Sequence, residues 1–120
     1  MLIPTPNLIL VATTPVDFRK QIYGLVALVE LSLGERPLSG TMFVFTNRRG
    51  DGLKLLVWHR GGFVLVYKKL EKGRFRLGRI NGDRMVITPA ELAAILEGID
   101  LEKAKRLARW SPDLSLHVDP

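Results

Sequence analysis

Short apolar runs alternate along the chain with clusters of glycine, proline and charge, and the period of each run says what it forms. LILVA (8–12) is short, apolar and β-branched, and reads as a strand. Downstream, Phe18, Ile22, Leu25, Val26, Val29 and Leu33 recur at helical spacing, while Arg19, Lys20 and Glu30 fall off that stripe. Thr14 suits a helix cap, Pro15 a first helical position and Asp17 a capping-box acid, so the pattern predicts a helix from about 15 to 33, ended by Gly34. Gly24 inside it marks close packing against a strand. MFVFT (42–46), LKLLVWH (53–59) and FVLVYKK (63–69) follow at hairpin spacing, joined by the turns NRRGDG and RGG. RFRL (74–77) alternates with period two and predicts a fourth strand, with Arg74 and Arg76 on one side and Phe75 and Leu77 on the other. MVIT (85–88) adds a short edge strand. Thr88, Pro89 and Glu91 then repeat the cap device before a helix through Leu92, Ile95 and Leu96, stopped by Gly98. LEKAKRLAR (101–109) suggests a third, more charged helix, and 111–120 a loose tail.

The expected fold is therefore α+β. A single domain over residues 1–100 holds an antiparallel β-meander of about four to six strands packed against two or three α-helices, and a short charged helix with a C-terminal tail follows at 101–120. The middle strands are apolar on both faces. Leu53, Leu55 and Val57 line one side of the second, and Leu56 and Trp58 share the other with Lys54. A sheet with one wet face would alternate more cleanly. The expectation is that the helices cover one face, and that a partner surface or the curl of the sheet covers the other. A homodimer is one way to do so.

Composition narrows the classes. The 120 residues fit one domain with a core of its own. The chain has no cysteine, which excludes disulfides, Cys-ligated zinc and thiol catalysis and fits a reducing cytoplasm. No apolar run approaches the ~20 residues of a membrane span, and the N-terminal MLIPTPNLIL lacks the basic region of a signal peptide. A cytoplasmic protein without a membrane partner is expected.

Charge changes the picture more. The formal net charge is +6, but residues 48–84 alone hold eleven Lys/Arg against three acids, a net of +8, so the rest of the chain is slightly acidic. Such asymmetry is the electrostatic footprint of a polyanion-binding surface, with a plain solvated basic face as the bland reading. Arg48 and Arg49 occupy one hairpin tip. Lys68, Lys69 and Lys72 flank the next, with Arg74 and Arg76 on its return arm. Hairpin tips and exposed strands can track a phosphate backbone. Trp58, Phe63, Tyr67 and Phe75 interleave with these charges and could stack on bases, although core placement is the simpler reading, above all for Phe75. No recognition helix for base readout is evident.

Catalytic patterns are absent by comparison. There is no phosphate-binding G-x-x-x-x-G-K-[ST] loop, no G-x-G-x-x-G and no G-x-S-x-G. His59 and His117 lie in different parts of the chain, and no clustered carboxylates suggest a metal. Asp51, Lys54 and His59 could be imagined as a nuclease trio, but spacing alone recommends them. No enzyme, metal or cofactor is expected.

Five segments taken in order resemble a known bacterial family: P-V-D-F-R-K (15–20) with G-L-V-A-L-V (24–29), M-F-V-F-T-N-R-R-G-D (42–51), L-K-L-L-V-W (53–58), Y-K-K-L-E-K-G-R-F (67–75) and I-T-P-A-E-L-A-A-I-L-E-G-I-D (87–100). They are similar to the TnpB accessory protein of insertion elements of the sixty-six type, over residues 8–100. The resemblance implies a part in DNA transposition beside a separate transposase that carries the catalytic carboxylates, and it carries over no catalytic residue. Within that setting the expectation is a non-catalytic accessory protein that binds DNA, the transposase, or both. Arg48, Arg49, Lys68, Lys69, Lys72, Arg74 and Arg76 are its candidate contacts. Arg19 and Lys20, which match the family's helix start, are the second tier. The alternative is a pure protein-interaction adaptor for the transposase, its basic face meeting an acidic surface.

Overall fold

A computed structural model describes residues 5–102 of the chain. Five strands form one sheet: β1 (Ile9–Ala12), β2 (Met42–Thr46), β3 (Gly52–His59), β4 (Gly62–Lys69) and β5 (Arg84–Ile87). Helix α1 (Ile22–Leu31) connects β1 to β2, and α2 (Pro89–Leu96) follows β5. The architecture is α+β, and β2–β3–β4 is the expected antiparallel meander. The spatial order is β4-β3-β2-β1-β5. β1 lies inside the sheet, parallel to β2 and antiparallel to β5, because a helical crossover between β1 and β2 returns the chain in the same direction.

Period-two alternation divides the strand residues between two cores. Leu10, Ala12, Phe43, Phe45 and Leu56 pack with Leu25, Val29 and Leu33 on the α1 side. Ile9, Val11, Met42, Val44, Leu53, Leu55 and Val57 pack with Leu92, Ile95, Phe75 and Leu101 on the other. This corrects the expectation that both helices share a face. The helices lie on opposite faces, and the chain itself covers the side of the sheet that had seemed to need a partner.

Two local expectations change as well. The first helix begins at Ile22, not near 15, and the Thr14–Asp17 capping box does not form. The backbone over 14–20 is engaged elsewhere: Val16 N–H donates to the Thr46 carbonyl at 2.8 Å, and the carbonyls of Phe18 and Lys20 accept from Lys54 Nζ at 3.0 and 2.9 Å. Carbonyls held by a lysine are not free to start an α-helical ladder. Gly24 meets no strand; a Cβ there would lie 3.1 Å from Lys20 Cβ. RFRL (74–77) is not a strand. Its burial alternates as expected, with Phe75 in the core and Arg74 and Arg76 exposed. Its backbone bonds are isolated ones, however, Phe75 N–H to the Gly50 carbonyl at 2.8 Å and Leu101 N–H to the Arg76 carbonyl at 3.2 Å. The second capping box forms as the sequence indicates: Glu91 N–H donates to Thr88 Oγ1 at 3.1 Å, and Thr88 N–H donates to Glu91 Oε1 at 2.8 Å. The β3–β4 hairpin turns through Arg60 and Gly61, both at positive φ (47° and 85°), as a two-residue turn matched to strand twist requires. A helical turn starts at Leu101, and the rest of the expected third helix and tail lies outside the described residues.

Candidate nucleic-acid interface

The β2–β3 turn is built around Asn47. Its side-chain oxygen accepts from Gly52 N–H at 3.0 Å, its Nδ2 donates to Asp51 Oδ1 at 2.8 Å, and its carbonyl accepts from Gly50 N–H at 3.0 Å. Gly50 takes the positive φ of 79° that this tight turn needs. The turn is thus closed by its own side chain, and Arg48 and Arg49 project from it into solvent.

The segment after β4 docks on this turn. Leu70 N–H donates to the Asp51 carbonyl at 2.8 Å and Phe75 N–H to the Gly50 carbonyl at 2.8 Å. Buried Phe75 anchors the segment, and the aliphatic stem of Arg74 lies against Gly50, where a Cβ would sit 3.5 Å from Arg74 Cβ. Lys72 is carried between the two docking bonds. Lys69 stands directly across from Gly52 in the β3–β4 register. The Asp51 carboxyl is held below its usual range, first by the Asn47 hydrogen bond and further by the charges of Lys69 and Arg49. Five exposed cations, Arg48, Arg49, Lys69, Lys72 and Arg74, therefore gather on one rim at this end of the sheet.

The other four candidates stand apart. Lys68 points to the α2 side, where its Nζ donates to the Leu96 carbonyl at 2.6 Å and satisfies an acceptor at the C-terminal end of that helix. Arg76 lies beyond Phe75 and lines, with Arg74, Arg79, Asp100 and Glu102, a cavity of about 390 Å³ on the side of the segment away from the β2–β3 turn. Arg19 faces the rim across a groove of about 470 Å³ lined by Pro15, Val16, Phe18, Arg48 and Arg49. Its guanidinium, 92% exposed, is bound to Asp17. That pairing holds the Asp17 carboxyl down at about 2, from an ordinary 3.8, so the pair persists as pH falls until about 2. A carbon-detected NMR titration should place the Asp17 midpoint near 2, and Arg19→Ala should return it toward 3.8. Lys20 lines a separate groove on the far side of the same loop, with Thr14, Leu28 and Asp83.

The residue that the charge pattern hid is Lys54. It is 2% exposed. Its ammonium lies beside the edge-to-face pair Phe18–Tyr67, 4.8 and 5.3 Å from their centroids, and donates to the Phe18 and Lys20 carbonyls. Burial pushes its pKa down. Lys54 pins the Asp17–Lys20 loop to the sheet and so shapes the near wall of the groove. Its signal in the sequence was a lone lysine inside the apolar run Leu53–Trp58. The imagined nuclease trio does not assemble. Lys54 is sealed in, and Asp51 and His59 flank opposite ends of β3, roughly 26 Å apart at strand rise. Among the described residues no group of three His, Asp or Glu side chains is placed to hold a metal.

The family of IS66 Orf2 like proteins matches residues 7–106. The chain belongs to that family. The uncharacterised protein y4jC of Sinorhizobium fredii is 39% identical over 98 residues, covering 82% of this chain and 84% of its own. The uncharacterised protein y4hO of the same organism is 38% identical over 103 residues, covering 85% of this chain and 87% of its own. No solved structure matches. Membership places the chain among the non-catalytic accessory proteins of IS66-type insertion elements. The matched span of the IS66 protein includes Asp17–Lys20, the β2–β3 turn and the whole of the 70–77 segment, so both walls of the groove are family territory. Among the described residues no helix is long and apolar enough to cross a membrane.

Proposed function

We propose that this IS66 accessory protein acts in the cytoplasm by binding DNA at the transposition complex, through the rim of Arg48, Arg49, Lys69, Lys72 and Arg74. The observation that carries the reading is the docking of two basic turns on each other by backbone hydrogen bonds, which collects cations that sequence distance separates. The ion pairs found among the described residues involve Arg19 and Arg84, not these five. A row of exposed cations without ion-pair partners among the described residues favours a phosphate backbone, since each phosphate neutralised releases counterions. Contacts of this kind position a protein on DNA and carry no base code.

A second observation favours the transposase as a further partner. Tyr23 and Leu31 of α1 are 78% and 85% exposed, two outward apolar side chains on a helix side that carries Glu30 and no basic residue. Titrating the protein against a labelled duplex from an element end, and against a scrambled duplex, over a salt series separates the two surfaces. Binding by the rim should fall with salt at a log–log slope of about −4 to −5, five contacts at ~0.9 each. An absence of binding at low salt would overturn the DNA reading and leave the adaptor reading, in which the transposase is bound without DNA.

A further inference from the structure

β4 is an edge strand of eight residues, and on its outer side no strand pairs with it among the described residues. Exposed edges in natural sheets are normally blunted by brevity, bulges, proline or mid-strand charge. The other edge follows that rule: β5 has four residues, and its Arg84 is tied to Glu35 and Asp83. β4 does so only at its C-terminal end, with Lys68 and Lys69. It holds no proline, its register with β3 runs without a slip from Gly52–Lys69 to His59–Gly62, and its centre is the uncharged Phe63-Val64-Leu65-Val66-Tyr67. Those side chains are half-buried, with Tyr67 52% exposed.

We propose that β4 pairs with β4 of a second copy, antiparallel about a two-fold axis at Leu65, to make one continuous sheet of two five-stranded halves. The register follows from symmetry. A two-fold axis perpendicular to the sheet keeps the α1 side of both copies on the same face, so each residue must meet one of its own parity. Only pairings centred on Leu65 or Val66 keep most of the strand overlapped. Centred on Leu65, Phe63 meets Tyr67 of the second copy, Val64 meets Val66, and Leu65 meets itself. Lys68 and Lys69 then lie across from Gly62 and Gly61, which present no side chain. Centred on Val66, the lysines would oppose Val64 and Phe63. The first register pairs aromatic with aromatic and aliphatic with aliphatic, and keeps the four lysines apart at the two ends. It also leaves Lys68 free to hold the Leu96 carbonyl. This self-complementarity commits the edge to a second copy rather than to an unrelated strand.

The absence of cysteine makes the test direct. In an antiparallel pair directly opposed Cα atoms lie about 4.5–5.5 Å apart, inside the range a disulfide spans. Leu65→Cys in the full chain should give a covalent dimer under mild oxidation. Val66→Cys should cross-link far less, since its counterpart is offset along the strand. Val86→Cys, on the other edge, should stay monomeric. Light scattering of the unmodified protein at micromolar concentration should give twice 13.5 kDa. Leu65→Lys, which sets two ammonium groups at the axis, should give a folded monomer by circular dichroism. A monomeric unmodified protein overturns the proposal, as does cross-linking of Val86→Cys as readily as Leu65→Cys. A monomer in which the outward-facing β4 amides, those not bonded to β3, still resist hydrogen exchange overturns it in favour of a different strand on this edge.

Discussion

Lys54→Ala is expected to destabilise the protein by about 3 kcal/mol or more, the largest effect of any single substitution that touches the groove. Among the described residues no carboxylate forms an ion pair with this lysine. Its charge is met by two backbone carbonyls and two aromatic faces. Truncation leaves both carbonyls without a donor, empties the space beneath the Phe18–Tyr67 ring pair, and frees the Asp17–Lys20 loop. Lys54→Met keeps most of the volume and removes the desolvation cost of the cation, so it should lose only about 1–2 kcal/mol. The gap between the two variants, read from urea midpoints, separates packing from hydrogen bonding. The pH dependence has a definite sign. Burial lowers the pKa of Lys54 in the folded state below the 10.5 of the unfolded chain. Between those two values the unfolded chain binds the extra proton, so folding is favoured more as pH rises through that window. Below the lowered value both states are protonated and the contribution is flat. The stability of the natural protein relative to Lys54→Met should therefore increase across the alkaline window and be constant below it. A difference that falls with rising pH would show that the pocket favours the cation over the neutral amine.

The same lysine explains why the sequence misplaced the start of α1. Thr14, Pro15 and Asp17 make a sound local helix signal, and Thr88, Pro89 and Glu91 make the same one and obey it. What differs is a tertiary competitor. Lys54, 34 residues from Lys20, takes carbonyls that a first helical turn would need, and no local pattern reports that. Each of the five strands had a local signature. The central place of β1 and its parallel pairing with β2 did not, because these depend on a crossover and not on any residue in LILVA. RFRL carried the burial pattern of a strand without a ladder to join. The rim was legible as a block of charge but not as a shape. That block counted Lys54, which is buried, Arg84, which is ion-paired, and Lys68, which serves the end of α2. Arg60 lies at the opposite end of β3 and Arg76 and Arg79 beyond Phe75, so five of the eleven remain for the proposed rim.

Those five give the second large expectation. Changing Arg48, Arg49, Lys69, Lys72 and Arg74 together to alanine should weaken binding to any duplex by on the order of a hundredfold or more at moderate salt, and should lower the salt slope by about 4 to 5 units. Circular dichroism and the urea midpoint should barely move, because all five side chains are exposed and the turns are closed by Asn47 and by backbone bonds. Lys68→Ala with Arg76→Ala is the matched control. It removes two charges of the same block that lie off the rim, one bound to the Leu96 carbonyl and one past Phe75 on the cavity it shares with Arg79. If net charge alone drives binding, the control should reduce the slope in proportion to the charges lost. If the rim drives it, the control should leave the slope nearly unchanged. Equal loss per charge in both variants would replace the rim with a diffuse basic surface. An unchanged slope in the folded five-residue variant would remove DNA from this face and leave it to meet an acidic protein.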